Sequence, residues 1–284
     1  MKVKKYNGEL VDYNPKALKI SLTKSGATKD EVEEVFELMS PDIKEGISTQ
    51  DLYQLAFDNL KKYRNSYAAR YSLKKALRDL GPEGYYFEKY IKRLMETVGF
   101  KAVNGQILQG NAVTHEIDVV AQKGDRLYFC ECKFRNDVDA KISVTTPMYF
   151  MSRMIDLKDK SFTFFDQTLQ PTKGFLVTNA YLTTDSIDWI EYYDGIGVIS
   201  WNYPSKMSLK YLIDNLAVYP ITCLTTISNE EIKTLMQAGC LLVQDVIQKG
   251  EYLKSLQLPN QVIDKIIQEA RELIEIQTNA CVIE

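Results

Sequence analysis

A single histidine, His115, stands in a chain of 284 residues. A two-histidine zinc site needs a second imidazole, so His115-Glu116 cannot open a metalloprotease motif. A lone histidine beside acids is better read as a hydrogen-bonded neighbour than as a catalyst. No Gly-x-x-x-x-Gly-Lys-Ser/Thr loop occurs, which excludes the usual phosphate cradle of an NTPase. No apolar run approaches about eighteen residues, so no membrane-spanning helix is expected. A dominant charge is missing too: the formal net charge is −3. Residues 1–81 carry fifteen basic and twelve acidic side chains, 82–221 fifteen and seventeen, and 222–284 five and nine. Charge alone therefore does not single out a nucleic acid as partner, although a local patch is invisible to such totals. The five cysteines are odd in number and follow no signal-like leader, which fits a reducing cytoplasm better than a disulfide framework. The terminal Cys281-Val-Ile-Glu284 has the outline of a prenylation box, but its final Glu is outside the usual residues and chance accounts for it better.

What is present centres on His115-Glu-Ile-Asp118-Val-Val120 and, thirteen positions after Asp118, Glu131-Cys132-Lys133. Leu127 to Phe134 reads as a strand whose period of two puts Tyr128, Cys130, Cys132 and Phe134 on one face, with Glu131 and Lys133 on the other. Cys130 and Cys132 are then core residues, not a zinc pair. A carboxylate and an ammonium on a half-buried strand cost several kcal/mol unless paired or bound to a cation. Two strands could bring Asp118, Glu131 and Lys133 together, with Asp118 and Glu131 as oxygen ligands of a hard divalent ion. Lys133, held next to the ion, would orient the attacking water or stabilise the charge developing on the phosphoryl oxygens. A helix from Glu83 to Val98 offers Glu88 as a further acid. A plain salt-bridged strand pair is the competing reading, with about even weight from spacing alone. Glu116 shares the face of Asp118 and is open as a further ligand or a rim charge.

The order helix-Glu, Asp, Glu-x-Lys resembles the PD-(D/E)XK nucleases, and Gly81 to about Pro204 resembles their Mrr-like restriction-endonuclease branch. Tyr86-Phe-Glu88, Gly110 through Asp118 and Glu131-Cys-Lys133 carry the likeness, with Gly174 to Ala180, Leu182 to Ser186 and Gly195 to Trp201 as later strand, helix and final strand. The resemblance implies a restriction-endonuclease-like α/β core, a mixed central sheet flanked by helices. It implies Asp118, Glu131 and Lys133 as catalytic residues with Glu88 in support, Mg²⁺ or Mn²⁺ as cofactor, and DNA as substrate. Between the site and the last strand, the pattern predicts a helix over Val138–Leu157, a buried strand over Lys173–Thr178 and a helix over Thr183–Tyr193. Tyr149 and Phe150 read as core aromatics. Lys141 and Arg153 are expected to face the substrate.

The N-terminal stretch reads as a hairpin turning at Asn7-Gly8, then a helix over Lys16–Lys24 with Asn14 as cap and Pro15 as first residue. Helices follow over Lys29–Met39, Thr49–Leu60 and Tyr67–Leu80. This stretch resembles the ATP-cone, a regulatory nucleotide-binding module, through Val3-Lys-Lys5, Asn7-Gly8, Tyr13-Asn14, Leu18, Gly46 to Thr49 and Ala68 to Tyr71. The resemblance implies ATP or dATP as allosteric effector, contacted by Lys5, Asn14, Lys16, Leu18 and Thr49, with Val3 lining the base pocket. Where the family has a lysine before Leu18, this chain has Ala17, flanked by Lys16 and Lys19.

From about Ile221 the chain is helical in pattern, with a Ser228-x-x-Glu231 capping box and helices over Val243–Lys249 and Asn260–Ile276. It is similar to helix-hairpin-helix domains, but Leu258-Pro-Asn-Gln261 replaces the glycine hairpin that would approach a phosphate. With the acidic balance, this favours packing or protein contact over DNA. The expectation is thus an ATP-cone over 1–81, a nuclease over 82–220 and a helical tail over 221–284. The whole would be a cytoplasmic, effector-regulated DNA endonuclease of restriction or defence type, acting as a homo-oligomer. The alternatives are a catalytically idle nucleotide-responsive DNA-binding protein and a repair nuclease for branched DNA or RNA.

Overall fold

The computed structural model describes residues 1–5, 7–82 and 84–275. The expected helix start at Glu83, the helix end at Ile276 and the Cys281–Glu284 tetrapeptide lie outside these residues. By contacts the chain divides into two compact units. One holds Met1–Leu73 together with Ile221–Ala238 and the helices from Val243 onward, and the other holds Lys74–Pro220 and Gly239–Leu242.

The first unit opens with strands β1 (Lys2–Lys4) and β2 (Leu10–Asp12), antiparallel with Val3 opposite Val11. Helix α1 (Pro15–Thr23) starts where expected: the Asn14 side chain accepts from the Ala17 N–H, and Pro15 has no N–H to leave unpaired. Helix α2 (Lys29–Met39) begins with a reciprocal Thr28–Glu31 capping box. Helix α3 (Thr49–Tyr63) starts at Thr49 as expected, capped by Ser48, and runs three residues past the expected end at Leu60. The helix expected over 67–80 is two pieces, α4 (Asn65–Tyr71) and α5 (Leu73–Arg78). They part at Ser72, whose ψ of 6° leaves the helical basin and whose hydroxyl bonds back to the Ala69 carbonyl. Leu22, Val35, Met39, Ala56 and Leu60 belong to the core that α1 to α4 share, while α5 from Lys74 onward belongs to the second unit.

The second unit is a mixed α/β layer structure. Helix α6 (Tyr85–Thr97) precedes the long strands β3 (Lys101–Gln109), β4 (Thr114–Lys123) and β5 (Arg126–Lys133). Short β6 (Lys141–Ile142) and helix α7 (Thr145–Leu157) follow, then the hairpin β7 (Phe162–Phe164) and β8 (Gln167–Leu169). Strand β9 (Pro171–Thr178), short β10 (Tyr181–Leu182), helix α8 (Thr184–Tyr192), strand β11 (Ile196–Ile199) and helix α9 (Leu209–Leu216) complete it. The five-stranded sheet runs β11-β9-β5-β4-β3, parallel across its first three strands and antiparallel across the rest. The helix expected over Val138–Leu157 is corrected at its start. Lys141–Ile142 pairs parallel with Tyr181–Leu182, and the helix begins only at Thr145. Pro147 explains the boundary, because its ring would clash with the carbonyl four residues earlier if the helix extended upstream.

Leu127, Phe129, Val120 and Leu176 face Phe150, Met154 and Leu157 of α7 in one core. Gly174 of β9 lets α7 lie close, since a Cβ there would stand 2.8 Å from both Phe150 Cζ and Met154 Cγ. Cys130 and Cys132 are buried on the opposite face, where Phe87 of α6 meets Phe134.

Helices α10 (Asn229–Gln237), α11 (Val243–Gln248), α12 (Glu251–Ser255) and α13 (Asn260–Glu275) follow as a small helical region. The Ser228–Glu231 capping box forms as read. Glu269 on α13 is 2% exposed and accepts from the amides and hydroxyls of both Thr225 and Thr226. Among the described residues no helix is long and apolar enough to cross a membrane.

Candidate functional site

Asp118, Glu131 and Lys133 meet where β4 and β5 part. Ladder pairing of the two strands runs from Lys123 opposite Arg126 to Val119 opposite Cys130, and stops there. Strand β5 continues alongside β9 as far as Lys133 opposite Thr178. In the fork so opened, Asp118 Oδ2 accepts the Cys132 amide at 2.6 Å, a side chain substituting for a main-chain partner. Asn104 ties the adjacent helix in, its amide group donating to the Glu88 carbonyl at 3.0 Å and the Asp118 carbonyl at 3.1 Å.

Glu131 lies at the base of the fork with only 3% of its side chain exposed. One of its oxygens stands 2.5 Å from Lys133 Nζ, and the other accepts from Arg153 Nη1. The second Arg153 amino group donates to the Glu116 carbonyl, while its Nε is buried with no hydrogen-bond partner. Arg153, expected to face the substrate, is instead engaged with protein groups. It sits at a core-facing position of α7 beside Phe150 and Met154, and its charge is matched inside by Glu131.

The electrostatics of the fork are unbalanced. Burial, then the charges of Asp118, Glu116 and Glu131, push the Glu88 carboxyl up to about 7. Burial, then Glu131, pushes Asp118 up to about 6 against the opposing Cys132 amide, Lys133 and Arg153. Desolvation and like charges each disfavour a carboxylate, and here they act together. Such displaced titrations gather at sites built for chemistry, although ion-pair networks also produce them.

His115 turns away from this arrangement: its Nε2 is 2.8 Å from Asp156 Oδ2 on α7. That bond, with the Ala112 amide, holds Asp156 below the usual carboxylate range. Glu116 is exposed and enters the fork only through its main-chain carbonyl and its charge on Glu88.

Among the described residues no three His, Cys, Asp or Glu side chains stand together as a metal-ligand set. Glu131 is held by Lys133 and Arg153, while among the described residues no hydrogen bond or ion pair holds the Glu88 carboxylate and only one Asp118 oxygen has a donor. A hard divalent cation suits this donor set, because Mg²⁺ is commonly held by one or two carboxylates with waters completing its shell. A cation there would also relieve the repulsion that raises Glu88 and Asp118.

Of the six residues expected to meet a nucleotide, four hold structural contacts and two are exposed. Val3 and Leu18 are buried, Leu18 in the helical core and Val3 within β1. Lys5 pairs with Glu9 at 3.0 Å, and Asn14 caps α1. Lys16 is exposed on the first turn of α1, and Thr49 is exposed on the first turn of α3.

A family model described as AF1548-like, C-terminal, matches residues 219–274. A crystal structure described as that of a protein of unknown function, AF1548, is similar at a TM-score of 0.53 and 30% identity, covering 67% of this chain and 98% of its own. The chain belongs to the AF1548-like family. An uncharacterized protein of Archaeoglobus fulgidus is 32% identical over 183 residues, 64% of this chain and 98% of that protein. Both matches leave about a third of this AF1548-like chain uncovered.

In the AF1548-like chain, sequence reasoning missed the role of Arg153. The signal was present: Phe150, Arg153, Met154 and Leu157 fall at the i, i+3, i+4, i+7 spacing of a buried helix face. An arginine inside such a stripe demands an acidic partner in the core.

Proposed function

We propose that this protein is a Mg²⁺- or Mn²⁺-dependent DNA endonuclease of restriction or defence type. In this reading its core is an Mrr-like PD-(D/E)XK fold, and an ATP-cone-like N-terminal segment binds ATP or dATP as effector. The observation that supports it is the gathering of Glu88, Asp118, Glu131 and Lys133 about one strand fork, where burial and then Asp118, Glu116 and Glu131 raise Glu88, and burial and then Glu131 raise Asp118. A bound divalent ion would neutralise the phosphodiester and acidify an attacking water. Asp118 offers its free oxygen as a ligand. Lys133, held by Glu131, is set beside the position where phosphoryl charge develops. Glu88, raised to about 7, can take up or release a proton near neutral pH. The effector would act by shifting an oligomeric equilibrium, a coupling typically worth about 1–3 kcal/mol.

The test is cleavage of methylated and unmethylated plasmid with Mg²⁺ or Mn²⁺, with and without ATP or dATP, comparing wild type with Lys133→Ala. Metal-dependent nicking lost in the variant supports the reading, and absence of nicking under every condition overturns it. One observation favours the idle, nucleotide-responsive alternative: both Glu131 oxygens are already engaged by cationic side chains. Under that reading the protein binds DNA and nucleotide without cleaving. Comparing linear, branched and RNA substrates separates a repair nuclease from both.

A further inference from the structure

We infer that Arg153 is a positioning residue that holds the β4–β5 fork at the width a divalent ion needs, an assignment that rests on the nuclease reading above. The geometry is specific. Main-chain pairing between β4 and β5 ends at Val119 and Cys130, so Asp118 and Glu131, next in line, are not a ladder pair. Two side chains span the gap instead. Asp118 reaches the Cys132 amide, and Arg153 reaches both prongs at once, one amino group on the Glu116 carbonyl of β4 and the other on the Glu131 carboxylate of β5.

A planar guanidinium is suited to this task because its donors diverge in a rigid fork, so two acceptors bound to it are held at a fixed separation. A lysine ammonium carries charge but has no such built-in spacing. The side chain is 9% exposed and rises from a helix face packed in the core, which leaves it little freedom to follow a moving strand. Three residues on, Asp156 fastens the same helix to the start of β4 by accepting from the Ala112 and Val113 amides and meeting His115. Helix α7 thus grips β4 at two levels, and Arg153 is the level that also grips β5. By holding one Glu131 oxygen, Arg153 directs the other toward Lys133 and keeps the carboxylate from turning onto Asp118.

The test compares Arg153→Lys and Arg153→Met with wild type in the full chain, using two readouts. The first is hydrogen exchange in metal-free protein at the amides of residues 116–120 and 130–133. Both variants should exchange at least tenfold faster there while β9 and β11 stay protected. The second is Mn²⁺ binding followed by electron paramagnetic resonance. The apparent Kd should rise tenfold or more in Arg153→Met and by less in Arg153→Lys. Phe150→Leu, a core change on the same helix face, controls for general loosening and should leave Mn²⁺ affinity within about threefold. Unchanged exchange at the fork in Arg153→Met, or a Phe150→Leu effect as large as that of Arg153→Met, overturns the assignment. If wild type binds no Mn²⁺, the nuclease reading fails, while the exchange measurement still decides whether Arg153 spans the fork.

Discussion

Glu269 in the first unit, which is buried, and Glu88 and Asp118 in the second, which are half-buried, are carboxylates treated in opposite ways. Glu269 receives four donors from two consecutive threonines and faces no like charge within that cluster. Glu88 is instead raised by burial and then by the charges of Asp118, Glu116 and Glu131, and Asp118 by burial and then by Glu131, against a single main-chain donor from Cys132. A carboxylate surrounded by donors fixes a turn against a helix. One surrounded by other carboxylates is raised in energy and gains from a cation. Four of the six N-terminal candidates resemble Glu269 in this respect, since Asn14 already caps a helix, Lys5 already has Glu9, and Val3 and Leu18 are already packed.

The sharpest way to break this contrast is through Lys133. Its replacement by alanine should lower Mg²⁺-dependent cleavage by roughly 100- to 1,000-fold, the scale of losing one charge-stabilising donor, with little change in the unfolding midpoint. Next is Glu269→Ala, which strands two main-chain amides and should cost about 3 kcal/mol in urea unfolding. Glu269→Gln, which keeps acceptor capacity at one oxygen, should cost less. If Glu269→Ala is neutral, the donors around it are not what holds that turn.

The pH response separates the two kinds of site more gently. Glu88 and Asp118 titrate in the fold at about 7 and about 6, above their ordinary values near 4. Between these limits the folded chain holds more protons than the unfolded one, so metal-free stability should fall as pH rises from about 4 to about 7. Glu88→Gln should remove part of that fall and raise the metal-free midpoint at pH 8 by a few °C, on the order expected for a 1 kcal/mol change in a chain of this size. Mn²⁺ should stabilise wild type more at pH 8, where both carboxyls are ionised, than at pH 5.5, where both are largely protonated. Equal stabilisation at the two pH values would place the ion elsewhere. The smallest expected effect is Asn14→Ala, about 1 kcal/mol from the lost cap. A loss of ATP or dATP affinity beyond that carried by the stability change would mean that Asn14 also meets the nucleotide.

The caps and the strand pairing were readable because they depend on neighbours in sequence. Asn14, Thr28, Thr183 and Ser228 each cap the helix they precede, and the alternation from Leu127 to Lys133 places Glu131 away from Cys130 and Cys132. What escaped reading depends on distant partners. Lys141–Ile142 is a strand only because Tyr181–Leu182 lies beside it. The β7–β8 hairpin turns on Phe165 and Asp166, both at positive φ without glycine or asparagine to announce it. Helix α9 had a usable mark in Ser208, whose side chain accepts the Tyr211 amide. Arg153 was misjudged because an arginine is usually solvated, and its acidic partner lies twenty-two residues earlier on a strand edge.

Gly174 gives the site a gauge on a strand that contributes no acid to it. With a bare Cα there, α7 settles against β9 through Phe150 and Met154, and the same helix carries the guanidinium one turn along. One methyl group at position 174 would lift the helix from its seat and draw the arginine partway out of its socket, so the reach of a side chain in the fork is calibrated by an omission on the neighbouring strand.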